Sequence, residues 1–417
     1  MGFFVFYFIN QGNQIMKAII KLPTLALAIT SLSLLSSVNA EEIDSVSAML
    51  SNGETDLSFR YRYEYVDQNG IDKTAGASTL RTRLSYKSAV YNDFGFTVEM
   101  DDVSVIGDAN YNSVVNGNTQ YPVVADPAGT DINQVLFSYT GEDFSSALGR
   151  QRINHSAQRF IGGVAWRQNE QTFDAVRLKL PGNDIFSVDY AYLSKVSRIF
   201  GPDGSAAQAD TWDSDSHIFI ANFMPTKGHT LSGFAYALDF EDAAANSSTT
   251  YGVEYKGNIG MVSLAASYAT QSDNADNPIS YNADYMAAEL GLNLSPVDVL
   301  IGYELLGSDD GIAAFKTPLS TLHKFQGWAD KFLNTPTTGI EDTYLKVGGK
   351  IGRAKLAVIY HQFVSDEGNI DYGSEIDAIV TYPVNKNLTA QLKYAAYEAE
   401  DFSVDTDKIW LTMDFKF

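Results

Sequence analysis

Apolar and polar residues alternate along most of the chain, most clearly in its first such segment. The odd positions of this segment are apolar or aromatic: Leu57, Phe59, Tyr61, Tyr63 and Tyr65. The even positions are polar: Ser58, Arg60, Arg62 and Glu64. Successive side chains of a strand point to opposite faces, so this pattern predicts a strand with one apolar and one polar face. By alternation and turn residues, eighteen strands are predicted, at about 57–65, 79–89, 94–102, 132–139, 146–153, 173–180, 185–193, 216–224, 230–240, 250–256, 261–271, 284–294, 299–306, 342–351, 355–363, 372–382, 388–397 and 406–417.

The connections between these segments follow a parity of their own. After even-numbered strands they are short and turn-like, as at 91–93 and 181–184, and after odd-numbered strands they are mostly longer, as at 154–172 and 307–341. Short turns on one rim and long loops on the other are typical of transmembrane barrels. The sequence therefore predicts an all-β protein, a transmembrane antiparallel up-and-down β-barrel of about eighteen strands. Its turns would be periplasmic and its loops extracellular, and a barrel of this size encloses a channel.

The first forty residues predict export. Residues 16–40 begin with a short basic region containing Lys17 and Lys21, continue with an apolar stretch at 25–35 and end in the small residues 38–40. This order is typical of a cleaved secretory signal, and its apolar stretch is too short for a spanning helix. Residues 1–15 are interpreted as an upstream extension. The predicted division is thus 1–40 as extension and signal peptide, and 41–417 as barrel.

The last strand favours the outer membrane over a soluble sandwich. Ile409, Leu411, Met413, Phe415 and Phe417 occupy alternate positions up to the end of the sequence. A final strand ending in aromatic-x-Phe resembles the assembly signal of bacterial outer-membrane barrels. The pattern predicts a Gram-negative outer-membrane protein that contacts the barrel-assembly machinery through Phe417 and then contacts lipid and lipopolysaccharide.

Composition excludes several other classes. The net charge of −22 argues against nucleic-acid binding, which needs dense cationic surface. Absence of cysteine removes thiolate metal sites and thiol nucleophiles. The five histidines have no metalloprotease spacing, and no G-x-S-x-G elbow occurs. We therefore expect no catalytic residues, no metal and no cofactor.

The polar faces of the strands carry the candidate permeation path. Charges at mid-depth on the lipid face would cost about 2–4 kcal/mol for each Arg or Lys, so the polar faces are assigned to the lumen. The predicted path residues are Arg60, Arg62, Arg81, Arg83, Arg150, Arg152, Arg177, Lys179, Lys346, Lys393, Glu375 and Asp377. Arginine binds carboxylates bidentately, so such a ladder would attract acidic solutes. The alternative is that these bases pair with acids and stiffen the wall. The fifth and eighth strands have ambiguous faces, since Leu148 shares the parity of Arg150 and both faces of 216–224 are apolar.

Two long loops, 103–131 and 307–341, are candidate constrictions. The second is too apolar for a solvated loop, and its spacing predicts a short amphipathic helix from Leu319 to Phe332. Folding into the lumen would leave Lys316, Lys324 and Lys331 near the entrance, with Trp328 beside them. Packing against neighbouring loops on the outer rim is the alternative.

Several blocks resemble the alginate-export-like outer-membrane porins. They are Arg60 to Glu64, Leu148 to Ile153, Gln158 to Gly162, Trp166 to Asn169, Ala314 to Pro318, Gly327 to Phe332, Tyr360 to Phe363 and Tyr372 to Asp377. The resemblance implies an eighteen-stranded barrel whose arginine-lined lumen passes anionic polyuronate or related solutes. The alginate exporter also has an extended periplasmic segment over its pore, whereas the turns here, such as 383–387, are short. A diffusion porin therefore fits better than a dedicated exporter.

The expected function is passive diffusion of hydrophilic, preferably anionic solutes such as uronate or alginate-type oligosaccharides. Two alternatives remain open at this point. One is a general or cation-preferring porin, and the other is a non-conducting structural or adhesion barrel whose loops fill its lumen.

Overall fold

The computed structural model describes residues 5–9, 15–19, 44–183 and 185–417. Residues 16–40, predicted as a secretory signal, lie outside the described residues except for 16–19. Val5–Ile9 and Ile15–Ile19 pair as a short antiparallel hairpin in a separate unit.

Eighteen strands form the barrel in the second unit. They are β1 (Glu54–Gln68), β2 (Ala75–Lys87), β3 (Phe94–Val105), β4 (Gly129–Thr140), β5 (Ser145–Gln151), β6 (Thr172–Asn183), β7 (Phe186–Ser197), β8 (Thr211–Thr226), β9 (His229–Leu238), β10 (Ser248–Ile259), β11 (Val262–Asp273), β12 (Asn282–Asn293), β13 (Val297–Leu306), β14 (Ile340–Ile351), β15 (Ala354–Val364), β16 (Asp371–Pro383), β17 (Leu388–Glu398) and β18 (Thr406–Lys416).

Each strand pairs antiparallel with its neighbours in sequence, and β18 closes the barrel against β1. Phe415 lies opposite Phe59 at this seam, and the Phe417 amide donates to the Leu57 carbonyl at 3.0 Å. Closure satisfies the backbone groups that an open sheet edge would leave without partners in hydrocarbon. The predicted fold class and all eighteen predicted strands are confirmed.

The outer face of the barrel is apolar, as the alternation predicts. Along β18, Ile409 and Met413 are 39% and 36% exposed, whereas Trp410 is only 2% exposed. Phe137, on β4, is 67% exposed on the outer face. These side chains form the surface that contacts lipid in an outer-membrane barrel.

Short helices complete the described secondary structure. They are α1 (Val46–Ser51) and two 3₁₀ turns, Ala244–Asn246 and Leu322–Lys324. No helix in the described part of the chain has the length and apolar character needed to cross a membrane.

Two long connections fold inward. The first inner loop, residues 152–171, joins β5 to β6, and the second inner loop, residues 307–339, joins β13 to β14. The second begins with a two-residue pairing of Ser308–Asp309 with Ala313–Ala314. Together they form a layer across the lumen, which we call the loop layer. Of the two alternatives given for the loop 307–341, the structure therefore shows the one that folds into the lumen.

The loop layer gives the barrel an apolar core of its own. Phe160 and Ile161 from the first inner loop and Leu319 from the second are buried together with Ile218 and Ile220 of β8. Inward side chains of a large barrel normally face water, and here the loops cover them. This packing explains why both faces of β8 are apolar.

The amphipathic helix predicted over 319–332 is wrong. The structure has only the 3₁₀ turn Leu322–Lys324 there, and the backbone is left-handed at Gln326 (φ +49°), Gly327 (φ +77°) and Asp330 (φ +61°). The apolar side chains of this segment pack onto different surfaces of the lumen instead of onto one helix face. The alternative of packing on the outer rim is also excluded, because the segment contacts the lumenal faces of β16 to β18.

Candidate functional site

Four of the predicted path residues, Arg60, Arg62, Arg81 and Arg83, lie on β1 and β2, and we call these four the arginine ladder. Three of them donate to backbone carbonyls of the first inner loop. Arg60 Nη1 donates to the Ala165 carbonyl at 2.8 Å, Arg62 to the Trp166 carbonyl, and Arg81 Nη1 to the Gln168 carbonyl at 3.4 Å. Arg62 and Arg81 are each 5% exposed. These guanidinium groups hold the loop.

The fourth member, Arg83, belongs to a buried ion-pair network. Its guanidinium binds Asp101 through two hydrogen bonds of 2.6 and 2.5 Å and reaches Glu170 at 2.7 Å. Arg152 contacts the same Glu170 and also Glu99. Burial alone would raise the pKa of Glu170, but Arg83 and Arg152 outweigh it and lower that pKa to about 2. Glu170 therefore stays ionised at neutral pH and fixes the end of the first inner loop.

Backbone hydrogen bonds join the two inner loops. The Gly162 amide donates to the Leu319 carbonyl at 2.8 Å, and the Thr321 amide donates to the Gln158 carbonyl at 3.0 Å. Arg159 adds a side-chain link, because Nη1 donates to Thr317 Oγ1 at 2.9 Å. The two loops are thus one hydrogen-bonded layer.

Three tryptophans meet where the loop layer contacts β17 and β18. The tryptophan cluster consists of Trp166, Trp328, Trp410, His323 and Lys393. The His323 ring stacks on Trp166 with centroids 3.4 Å apart, and Lys393 Nζ lies 3.7 Å from the Trp328 ring centroid. Lys393 Nζ is also within hydrogen-bonding distance of His323 Nε2. The predicted path residue Lys393 is 9% exposed.

Asp330 compensates the cations around this cluster. Its carboxylate accepts from His323 Nδ1 at 2.6 Å and from Lys408 Nζ at 2.8 Å, and it lies 3.5 Å from Arg167 Nη2. Burial would raise the pKa of Asp330, but Lys408 and His323 outweigh it and hold that pKa well below its usual range. Burial lowers the pKa of His323 well below its usual range, and Lys393 adds to this effect.

The predicted acids Glu375 and Asp377 also bind the loop layer. Glu375 Oε1 accepts from the Trp328 amide at 2.5 Å and from the Ala329 amide at 2.7 Å, and Asp377 Oδ2 accepts from the Trp328 amide at 3.2 Å. Both carboxyl groups are buried. Both carboxylates therefore bind the backbone of the second inner loop.

The connection between β3 and β4 also contacts the first inner loop inside the barrel. Asp126 Oδ1 accepts from the Gln168 amide at 3.0 Å, and Oδ2 lies 3.5 Å from Arg62 Nη1. This connection was one of the two predicted constriction loops, and it reaches the lumen through Asp126.

Arg150 corrects the predicted path. It lies opposite Val135 of β4 and Asp174 of β6 and shares the face of Leu148, which is 59% exposed. Its Nε binds Asp174 at 2.8 Å. Directly paired residues of antiparallel strands point to the same face. Arg150 is therefore on the outer face, and its assignment to the lumen is wrong.

The lumenal lysines differ from the lumenal arginines in their ion pairing. Arg177 is paired with Asp189 through bonds of 2.8 and 2.5 Å. Six lumenal lysines have no carboxylate within ion-pair distance among the described residues. They are Lys179, Lys316, Lys324, Lys331, Lys346 and Lys350. Lys316 and Lys324 donate to loop carbonyls, and Lys331 donates to Thr406 Oγ1. Burial lowers the pKa of Lys331 to about 8, and Lys408 adds to this effect.

Three cavities lie beside the loop layer, and each shares lining residues with the next. One of about 220 Å³ lies on the extracellular side, lined by Arg159, Lys316 and Leu322. Arg159 also lines a cavity of about 80 Å³, which shares Glu254 and Lys256 with a third cavity of about 490 Å³. We call this third cavity the wall cavity. A separate cavity of about 580 Å³, which shares no lining residue with these three, is lined by Lys346 and Lys350.

Several residues of this site escaped the sequence interpretation. Arg159, Arg167, Glu170, His323 and Asp330 all lie in the inner loops and bind the wall or each other. The available signal was the apolar content of the first inner loop, where Phe160, Ile161 and Trp166 are as unsuited to solvent as the residues of the second.

A closed eighteen-stranded barrel with an apolar outer face and inward-folded loops is the architecture of outer-membrane porins. The chain belongs to the Alginate export family, whose model matches residues 53–297. The predicted family is thereby confirmed, and the family and the fold are those of channels of the outer membrane. No curated protein matches the sequence.

Solved structures share the fold at low sequence identity. Pseudomonas aeruginosa OccD3 (OpdP) superposes with a TM-score of 0.67 at 14% identity, covering 89% of this chain and 92% of that one. Acinetobacter baumannii OccAB4 gives 0.65 at 14%, covering 87% and 98%. Pseudomonas aeruginosa OpdK, solved with vanillate, gives 0.67 at 12%, covering 88% and 99%.

Proposed function

We propose that this protein is a passive outer-membrane channel for small hydrophilic, preferably anionic solutes such as uronate or alginate-type oligosaccharides. The observation that carries the proposal is the series of cavities beside the loop layer, in which successive cavities share Arg159 and then Lys256. A solute would follow this route along the lumenal faces of β5 to β14. Arg159 lines two successive cavities of this route, including the smallest one.

The anion preference follows from which charges along this route are compensated. Four acids line the route, and three of them are paired with bases: Asp189 with Arg177, Glu254 with Lys256, and Glu304 with Arg159. The fourth, Glu289, accepts a hydrogen bond from the Tyr344 hydroxyl at 2.6 Å. Lys179 and Lys316 line the same cavities and have no carboxylate partner. Two lysines without carboxylate partners thus stand against one carboxylate without a basic partner, Glu289, so the charge offered to a solute has a positive excess that comes from lysines. The arginine ladder has a different part in this proposal, since it holds the constriction in place.

Residues 1–40 are proposed as an upstream extension and a cleaved secretory signal. Phe417, which is 68% exposed beside Phe59, is proposed as the contact for the barrel-assembly machinery. The outer face would contact lipid and lipopolysaccharide.

Reversal potentials in planar bilayers test the proposed preference. Under a potassium chloride gradient the native protein should favour chloride, and Lys179→Gln with Lys316→Gln should move the reversal potential towards the cation side, because two uncompensated positive charges leave the route. The control is Lys227→Gln with Lys386→Gln, which removes two exposed lysines from turns outside these cavities. A native preference for potassium, or equal shifts in the two double variants, would contradict the proposal.

A further inference from the structure

Three lysines line one cavity on the lumenal side of β14 and β15, near the turn that joins these strands. On β14, Lys346 lies between Leu345 and Val347, which are exposed on the outer face, and Lys350 has the same parity as Lys346. Lys355, a further lumenal lysine, lies directly opposite Lys350 on β15, so the two side chains point to the same face. All three line the separate cavity of about 580 Å³, which we call the lysine cavity.

The positive charge of this cavity is not compensated. In the described part of the chain, no carboxylate lies within ion-pair distance of Lys346, Lys350 or Lys355. Asp298 is the one acid among the described residues that line the cavity, so three positive charges stand against one negative charge. Like charges directly opposite each other on paired strands, with Cβ atoms about 4.5–5.5 Å apart, are destabilising. An anion held between Lys350 and Lys355 would remove this repulsion.

Gly348 leaves the floor of the lysine cavity open. It lies between Lys346 and Lys350 on the lumenal face of β14, directly opposite Ala357 of β15. Gly348 is not among the described residues with positive φ, and an added Cβ would have its nearest contact at 3.4 Å, with the Leu356 carbonyl oxygen. Neither the backbone nor the packing therefore requires a glycine at this position. A glycine inside a strand often marks a place that a ligand approaches closely, so Gly348 indicates where the ligand would lie.

The far side of the cavity offers neutral hydrogen-bonding groups. Asn258 of β10 and Ser263 of β11 lie directly opposite each other, and neither side chain has a hydrogen-bond partner among the described residues. Ser263 is three strands from Lys346 in one cross-strand row, about 14 Å away at the usual strand spacing. These two groups would contact the organic part of a ligand whose charged end lies among the lysines.

The use of lysine alone indicates the kind of anion. No arginine is among the described residues that line the lysine cavity. The planar fork of arginine matches a carboxylate bidentately, whereas lysine binds phosphate as a point charge with three donors. A phosphoryl group carries a charge of about −1.5 to −2 at pH 7 and three strong acceptor oxygens, so three ammonium groups can share it.

We propose that the lysine cavity binds a phosphoryl dianion, as inorganic phosphate or as the phosphate of a phosphomonoester, through Lys346, Lys350 and Lys355. The absence of a side chain at Gly348 lets the phosphoryl group reach the wall between these lysines. The site lies outside the route of the proposed function, because it shares no lining residue with the three cavities of that route.

Isothermal titration of the full chain in detergent tests this site without requiring conduction. The probes are inorganic phosphate and glucose 6-phosphate, and the comparison ligand is glucuronate, which carries a single negative charge. An ionic strength of about 0.15 M screens weak attraction between distant charges. We expect both phosphates to bind at least tenfold more tightly than glucuronate. Tighter binding of glucose 6-phosphate would identify an ester as the ligand, and tighter binding of inorganic phosphate would identify the free anion.

Two variants test the roles of the charge and of the floor separately. Lys350→Gln with Lys355→Gln should weaken phosphate binding tenfold or more, and the control Lys227→Gln with Lys386→Gln, in turns outside the cavity, should leave it unchanged. Gly348→Leu keeps all three lysines and fills the floor, so it should also weaken phosphate binding tenfold or more. Attraction to the lysines without a shaped site would survive that substitution.

The outcomes separate this site from the proposed channel. Equal affinities of the native protein for phosphate and glucuronate overturn the site, and this comparison holds even if a variant fails to fold. Native phosphate affinity in either cavity variant, with folding shown by heat-modifiable mobility on gels, also overturns it. Absence of conductance together with the expected phosphate binding overturns the channel and leaves the site.

Discussion

Replacement of the whole arginine ladder by glutamine, at Arg60, Arg62, Arg81 and Arg83, is expected to raise single-channel conductance several-fold. Three of these side chains donate to carbonyls of residues 165–168, and the fourth binds Glu170. Their loss removes the contacts that hold the first inner loop against β1 and β2, and the loop would leave the lumen. An eighteen-stranded barrel without this layer has the width of an aqueous channel.

The measurement is single-channel conductance in a planar bilayer, together with its noise, because a released loop should also produce frequent current fluctuations. The control replaces four bases on periplasmic turns and strand ends, Lys87, Lys227, Arg353 and Lys386, by glutamine, and it should keep the native conductance. Unchanged conductance with a reduced anion preference would contradict this account. That result would restore the ladder as the solute path that the sequence pattern predicts.

Asp330→Asn is expected to release the second inner loop. The Asp330 carboxylate is the shared partner of His323, Lys408 and Arg167, and its side chain is 5% exposed. Removing one partner of a buried ion pair costs about 3–5 kcal/mol, because the remaining charges lose compensation. The loop contributes few other charged contacts to β18, so the energy holding it in place should fall by a similar amount.

Tryptophan fluorescence reports this release directly. Three of the four tryptophans of the chain, Trp166, Trp328 and Trp410, belong to the tryptophan cluster beside Asp330. In Asp330→Asn we expect a red-shifted emission and stronger quenching by iodide, with the barrel still closed. The control, Asp310→Asn, removes an exposed acid of the same loop and should leave the spectrum unchanged. Native quenching in Asp330→Asn would show that the cluster does not depend on this carboxylate.

The barrel could be predicted from the sequence because the patterns that specify it lie within short segments of the chain. Alternation of side chains along a strand and the parity of turn and loop lengths are both properties of short segments, and neither depends on tertiary contacts. The final strand is an example, since Ile409, Met413 and Phe415 lie on the outer face as their spacing indicates.

The loop layer could not be predicted in the same way. Its bonds join positions far apart in the chain, such as Arg60 with Ala165 and Arg159 with Glu304, and no periodicity signals them. Alternation alone therefore predicts that the arginine ladder faces solvent, whereas its guanidinium groups are bound to the first inner loop. The prediction for Arg150 is wrong for a local reason. A charged residue indicates a polar face, but the ion pair with Asp174 accommodates Arg150 on the outer surface beside Leu148.

Solute entry into vesicles tests the central claim most directly. Liposomes containing the purified native protein are placed in isotonic solutions of sodium glucuronate or of a large dextran, and their swelling is followed by light scattering. Passage beside the loop layer predicts swelling in glucuronate and none in dextran. Vesicles that contain correctly folded barrels and yet fail to swell in glucuronate would contradict it.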